Sequence, residues 1–286
     1  MIVIIGKGPA GISAALYLLR GGQKALVIGR DGGALTKAAH IDNYYGFAET
    51  ISGPHLLEQS WAQLRRLGGT ILTEEVVSVQ YAADGKGYEV RTPTQTIAAD
   101  AALFATGAAR QKPALPGLEK WEGKGVSYCA VCDGFFYRGK TAAVLGSGDY
   151  AASEAKELLP IVKNLHVITN GNEITGQFPT ECVVHTQKVA ALEGEERLER
   201  VRFADGSALE LDGLFIAQGT AGTGELALKL GVLTEKGRIL AKPDGSTNVP
   251  GIYAAGDCTG GLLQVAKAVS DGAIAAGSIL AYLRKA

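Results

Sequence analysis

The residues with the sharpest chemical meaning stand together in "CAVCDG", Cys129 to Gly134. A C-x-x-C pair either supplies half of a metal site or forms and breaks a disulfide. A structural zinc needs four ligands, so the metal reading requires a second C-x-x-C or a histidine pair at suitable spacing. Cys182 and Cys258 are isolated, and His40, His55, His166 and His185 form no such pair. The pattern favours a redox dithiol and no metal. Asp133, beside the second thiol, is suited to give and take the proton that thiol–disulfide exchange moves. Its competing reading is a turn or cap residue. Cys182 and Cys258 read as structural, following the burial habit of lone cysteines.

Glycine turns supply the second kind of chemistry. "GKGPAG" follows the apolar run "MIVII" and precedes Ile12, Ala15, Leu16 and Leu19 at helical spacing. This is G-x-G-x-x-G in a strand–turn–helix setting. Gly6 permits the tight turn, Gly8 lets the backbone approach a pyrophosphate, and Gly11 lets helix and strand pack closely. The helix start adds free N–H groups and a positive dipole end. The acid that often ends the next strand and binds a ribose is missing. "ALVIG" runs into Arg30, with Asp31 one step later. "FATG" (Phe104–Gly107) and "IYAAGDCTGG" (Ile252–Gly261) are apolar strands ending in glycine turns. Taken singly these are ordinary strand-end glycines, but the second would suit a backbone brought close to a bound flavin, with Asp257 aimed at its ribityl or phosphate. A helix from about Leu262 would present its N-terminus to negative charge there.

These groups need a scaffold, and the chain spells it twice. "TAAVLG" then "GSGDYA" repeats the strand and turn. Ala155, Leu158, Leu159 and Val162 repeat the helical spacing, with Pro160 kinking or ending the helix, and "LHVIT" is the next strand. After each opening come short alternating stretches that predict an antiparallel meander: "TILTEEVVSVQYA" to "QTIAADAALFATG", and "VVHTQKVAALEG" to "SALELDGLFIAQG". The fold class expected is α/β, with two Rossmann-like, three-layer ββα dinucleotide-binding domains, the second inserted in the first. The Pro-rich "ARQKPALPGLEKWEGKG" and "AKPDGSTNVPG" are the candidate crossings. They give one domain of 1–112 and 243–286 and a central domain of 113–242. The 286 residues are 47% hydrophobic, ample for both cores, and the net charge of −1 offers no global field for nucleic acid or an acidic membrane. With no basic leader and no apolar run of bilayer length, the expectation is a cytoplasmic protein.

Taken together, "GKGPAG", "FATGA", "CAVCDGFFYRGK", "VLGSGDYA" and "IYAAGD" closely resemble the low-molecular-weight thioredoxin reductases, in order and spacing, over essentially the whole chain. The resemblance implies an FAD domain made of both chain ends, a central nucleotide-binding domain that carries the C-x-x-C and swings during turnover, and a homodimer. Carried onto matching positions, Cys132 would face the flavin and Cys129 would attack thioredoxin. Asp133 would be the acid/base, and Phe135 and Phe136 would help dock thioredoxin. FAD contacts are implied at Gly6, Gly8, Pro9, Ala10 and Gly11, then at Gly33, Leu35, Asn43 and Val77. Others fall at Ala105, Thr106 and Gly107, and at Gly256, Asp257, Gln264, Val265 and Ala266.

One stretch departs from that family. Its NADPH users end the strand after the second glycine turn with a histidine-arginine-arginine run and a further arginine, which hold the 2′-phosphate. Here the place reads "HVITNGNEITG". No arginine occurs from Ala151 to Glu196, Glu173 comes too late to choose NADH, and Tyr150 puts a bulky ring inside the turn. This resembles the ferredoxin-dependent flavin thioredoxin reductases, as do "IDNYYGF" and "GDCTGGLLQVAKAVSDGA". The implied activity passes electrons from reduced ferredoxin through FAD and the Cys129–Cys132 dithiol to thioredoxin. Three alternatives stay open: an NAD(P)H-dependent reductase with an atypical nucleotide site, an FAD-dependent dithiol oxidase using oxygen, and a flavin-bound sensor without turnover. A related branch lacking the same arginines carries a second flavin, so an extra FAD also stays open. Lys37, Arg65, Arg66, Arg110, Lys112 and Lys124 are candidate cations for an acidic partner.

Overall fold

The computed structural model describes residues 1–108, 115–218 and 223–285. The chain divides into two compact units, 1–110 with 222–286, and 111–221.

The first unit opens with β1 (Ile2–Ile5), α1 (Pro9–Arg20) and β2 (Ala25–Ile28). All of β1 is buried, as a parallel strand covered on both faces should be. Pro9 starts α1, where its missing N–H costs nothing. Next come α2 (Gly53–Arg66), capped by the Ser52 hydroxyl, and β3 (Thr70–Leu72). The hairpins β4 (Ser78–Tyr81), β5 (Tyr88–Arg91) and β6 (Thr96–Ala99) form an antiparallel sheet, and β7 (Ala101–Phe104) returns to the main sheet.

The second unit repeats the plan. It runs α3 (Leu118–Trp121), β8 (Val126–Ser127), α4 (Ala130–Asp133), β9 (Thr141–Leu145), α5 (Asp149–Leu158), β10 (Asn164–Ile168) and β11 (Val183–His185). The meander β12 (Val189–Glu193), β13 (Arg200–Phe203) and β14 (Ala208–Glu210) follows, then β15 (Gly213–Ile216). Its parallel sheet is ordered β11-β10-β9-β15-β8. The chain re-enters the first unit through α6 (Thr223–Leu228), β16 (Thr234–Glu235) and β17 (Arg238–Ile239). It ends in β18 (Ile252–Ala254) and α7 (Val265–Leu283). The first unit's parallel sheet is ordered β18-β7-β1-β2-β3. Each unit is thus a Rossmann-like parallel sheet with an antiparallel meander, the expected fold class.

Several local expectations need correcting. The buried face of α1 is Ile12, Ala14, Ala15 and Leu18, while Leu16 and Leu19 are only partly covered. The reason is α7, whose Ala275, Ala276 and Ile279 join the same core. Gly272 lets the two helices touch: a Cβ there would lie 2.1 Å from the Ala10 carbonyl oxygen. α7 itself begins at Val265 rather than near Leu262. The two predicted meanders each lose their first strand, because β3 and β11 join the parallel sheets as edges. An edge strand needs no continuous apolar run, so the alternating pattern misleads. The first crossing segment is not all linker: Leu115, Leu118 and Trp121 are buried in the second unit's core. At the return, the first compact unit resumes at residue 222, and the expected crossing at 243 lies within it. The stretch after it is tied to the first unit by the Tyr81 hydroxyl on the Leu230 carbonyl (3.1 Å) and by Asn248 on Gly231 and Leu233 (2.9 Å each).

Candidate functional site

In the first unit β18, β7 and β1 lie side by side and parallel, so their C-terminal ends form one edge. That edge gathers Gly6–Gly11, Ala105–Gly107 and Gly256–Asp257. It is the place where open α/β sheets bind ligands. Gly6 has φ +119°, and a Cβ there would strike the Ala105 carbonyl oxygen at 2.1 Å. A Cβ on Gly11 would strike the Gly6 carbonyl oxygen at 1.9 Å. Both glycines serve close packing of the chain on itself. Gly8 differs: it caps α1 in an ordinary extended conformation, and a Cβ on it would meet nothing within 4 Å. Pro9 and Ala10 form the first turn of α1, whose cap offers no side chain to its amides.

The other expected contacts lie in the same unit. Gly33 donates to Asp31 Oδ1 (2.9 Å) and Leu35 is buried with Ile41, Ile51 and Leu57. Asn43 Nδ2 donates to Gln264 Oε1 (2.9 Å), which joins two expected ligands far apart in sequence. Val77 is buried at the head of the meander. Gln264 caps α7, and Val265 and Ala266 form its first turn, again with no side-chain cap. Asp257 Oδ1 is buried without a partner. Burial pushes the Asp257 carboxyl up from its ordinary pKa, Lys267 opposes this, and Asp271 adds to it.

The second unit holds the dithiol. Cys129 and Cys132 form a disulfide with Cα atoms 5.3 Å apart. Cys129 caps α4 and is 4% exposed, while Cys132 is exposed. The Cys132 amide points at Cys129 Sγ (3.1 Å). Ser127 Oγ donates to Asp133 Oδ2 (2.7 Å) and accepts from the Cys129 amide (3.1 Å). Asp133 therefore belongs to the same small network as the disulfide. Among the described residues no group of His, Cys, Asp and Glu could hold a metal ion.

The second glycine turn is a different kind of place. The amides of Thr175 and Gly176 both donate to the Ser147 carbonyl (2.9 Å each). Gly176 lies so close that a Cβ on it would sit 2.4 Å from the Gly148 oxygen and 3.0 Å from the Asp149 amide nitrogen. The chain's own backbone thus packs against the Gly148–Asp149 peptide at the start of α5. At the end of β10, Thr169 Oγ1 is buried without a partner, and Asn170 Oδ1 accepts from Val189 N (2.7 Å). The Lys188 stem lies over Gly171.

The family model for pyridine nucleotide-disulphide oxidoreductases matches residues 1–272. The thioredoxin reductase of Listeria innocua is 32% identical over 99% of this chain and 94% of its own. The chain belongs to the thioredoxin reductase family. Among solved structures, the atypical thioredoxin reductase of Desulfovibrio vulgaris Hildenborough is 41% identical, with TM-score 0.93 and coverage of 99% and 98%. A ferredoxin-flavin thioredoxin reductase of Clostridium acetobutylicum is 30% identical, with TM-score 0.73 and coverage of 100% and 98%.

A thioredoxin reductase is an FAD-binding flavoprotein. The residues present in this one fit that group: an open approach at Gly8, two uncapped helix starts and an Asp257 with one partnerless buried oxygen converge on one sheet edge. Sequence reasoning missed other parts of this reductase. Lys7 is buried, donates to Thr73 Oγ1 (3.1 Å) and lies over the Trp61 ring, whose Nε1 donates to the Lys7 carbonyl (2.9 Å). Burial pulls the Lys7 pKa down. Its stem passes over Gly29, at the strand end where a ribose acid was expected. Glu154 is buried beside the C-x-x-C, and its acidity on an apolar helix stripe was the available signal. Of the candidate cations, Lys37, Arg65, Arg66 and Lys124 are exposed, whereas Arg110 and Lys112 lie outside the described residues. No helix among the described residues is long and apolar enough to cross a membrane.

Proposed function

We propose that this thioredoxin reductase draws its electrons from reduced ferredoxin rather than from NAD(P)H, works as a homodimer in the cytoplasm, and reduces thioredoxin through Cys129 and Cys132. The observation that carries the proposal is the covered second glycine turn. NADPH recognition leans on amides at a helix start and on planar bidentate cations for the 2′-phosphate. Here Gly176 occupies the approach to the Asp149 amide. The strand end offers Thr169 and Asn170, and Lys188 supplies one flexible point charge in place of an arginine fork. The ferredoxin-flavin enzyme of Clostridium acetobutylicum covers the same chain length. A small iron–sulfur donor needs no dinucleotide cleft.

FAD would be held at the first unit's sheet edge. Gly6, Gly8, Pro9, Ala10 and Gly11 would hold its pyrophosphate. Asp257, Gly256 and the start of α7 at Gln264, Val265 and Ala266 would hold the flavin side, with Ala105, Thr106 and Gly107 between. Gly33, Leu35, Asn43 and Val77 would complete the walls. FAD, when bound, supplies two electrons to a disulfide and can be loaded one electron at a time.

Once the disulfide is open, Cys129 is freed from its buried position and its thiolate attacks the thioredoxin disulfide. A mixed disulfide forms and one thioredoxin thiolate leaves. Cys132 then attacks Cys129 Sγ, the Cys129–Cys132 bond closes, and the second thioredoxin thiolate leaves. Asp133, oriented by Ser127, carries the protons those thiolates take up. Phe135 and Phe136, 66% and 69% exposed beside the C-x-x-C, offer an apolar landing for the partner. The test is steady-state reduction of thioredoxin with each donor in turn. Turnover with photoreduced ferredoxin and none with NADH or NADPH is expected. Saturable turnover with either nucleotide would overturn the proposal.

A further inference from the structure

We infer that Glu154 poises the Cys129–Cys132 pair as a strongly reducing couple, acting through the backbone of the redox loop. This rests on the reading of that pair as the working dithiol.

Glu154 lies on α5, the helix that the second glycine turn opens. Its neighbours Ala151, Ala155 and Leu158 form the buried stripe of that helix, and Glu154 shares the stripe at 1% exposure. An acid in such a place needs strong donors. One of them is the Ala130 amide, 2.8 Å from Glu154 Oε2. Ala130 is the first residue of α4 and directly follows Cys129. One turn earlier on α5, the Tyr150 hydroxyl reaches the Tyr128 carbonyl at 3.5 Å. Residues four apart on one helix therefore hold the residue before Cys129 and the residue after it.

The arrangement has an electrostatic consequence. A cysteine at a helix N-terminus ordinarily gains from the free amides there, which stabilise its thiolate and lower its pKa. Here the first of those amides is taken by the Glu154 carboxyl, which when ionised would set a negative charge close behind it. Like charge nearby disfavours a thiolate. Disfavouring the thiolate destabilises the reduced form, which makes the couple more reducing. A dithiol whose task is to open another protein's disulfide benefits in that direction. Glu154 acts by its charge and through Ala130, not by touching sulfur, so it is a positioning residue.

The test equilibrates the holoenzyme, without oxygen, in dithiothreitol buffers of graded potential. Dithiothreitol supplies two electrons and two protons to the disulfide and is itself oxidised to its cyclic form. Quenching with a maleimide and weighing the Cys129–Cys132 peptide reads this couple alone. Glu154→Gln keeps the shape and an oxygen for the Ala130 amide while removing the charge. At about pH 9.5, above the Cys129 pKa expected in either protein, it should shift the equilibrium about tenfold toward the dithiol, which is about 30 mV less reducing. The pKa of Cys129 in the reduced enzyme, read from the pH dependence of iodoacetamide alkylation, should fall by about one unit. Glu154→Asp, which keeps the charge, should restore most of both. A folded, yellow Glu154→Gln protein with unchanged midpoint and alkylation profile overturns the inference. Should that variant not fold, Glu154→Ser, whose small side chain leaves room for water at the Ala130 amide, is measured in the same way: a midpoint and a Cys129 pKa that move in the same direction as expected for Glu154→Gln uphold the inference, and unchanged values overturn it. Failure of the underlying reading would show separately, as thioredoxin turnover surviving in Cys129→Ser.

Discussion

Gly8 and Gly11 separate ligand binding from folding within one motif. A Cβ at Gly8 meets no protein atom within 4 Å, and the residue's φ of −83° and ψ of −172° suit any side chain. Gly8→Val should therefore leave the fold intact. It fills the approach to the α1 amides, so FAD binding should suffer. Losing two charge-assisted hydrogen bonds at about 1.5–3 kcal/mol each weakens FAD by roughly 10²–10⁴-fold. Gly11→Ala does the opposite. Its Cβ would sit 1.9 Å from the Gly6 carbonyl oxygen and 3.2 Å from Ile4 Cγ2. Forcing the strand and helix apart costs about 1–3 kcal/mol or more. At about 2–4 °C per kcal/mol for a unit of this size, the melting temperature should drop by roughly 2–12 °C. The assay is a thermal melt followed by circular dichroism, with flavin content from absorbance of the purified protein. Full flavin in Gly8→Val, or a Gly11→Ala protein as stable as the parent, would refute the division of labour.

Other outcomes follow from the same structure. Cys129→Ser and Cys132→Ser should each abolish thioredoxin reduction, while Cys182→Ser should leave it nearly unchanged, by steady-state assay. Burial pushes the Cys258 thiol up to about 11, so maleimide should label Cys258 only after unfolding, by mass of the labelled peptide. His166 Nδ1 and His185 Nε2 lie 3.0 Å apart, and burial holds both pKa values below the ordinary histidine value. A depressed histidine gives stability that is present above the unfolded pKa near 6.5 and is lost as pH falls below it. The melting temperature should therefore drop as pH is lowered from about 6.5, and less so in His185→Phe.

Much of this was legible in the sequence because the signals are local. Four-residue apolar runs such as Ile2–Ile5 and Ala101–Phe104 became buried parallel strands. Gly6 and Gly11 sit where only glycine fits, and the close cysteine pair formed its disulfide. What stayed hidden depends on partners remote in the chain. The covered face of α1 is set by α7, from the far end of the sequence. Gly176 reads as an ordinary loop glycine until it is found against Gly148. Lys7 hides inside a motif defined by its glycines, and Glu154 shows only its place on the apolar stripe of its helix until its amide partner is seen.

The central claim concerns the source of electrons, and anaerobic stopped-flow absorbance of the bound flavin tests it most directly. Rapid bleaching by reduced ferredoxin, with no saturable response to sub-millimolar NADPH or NADH, is the predicted result. Rapid, saturable bleaching by either nucleotide with no response to reduced ferredoxin would contradict it.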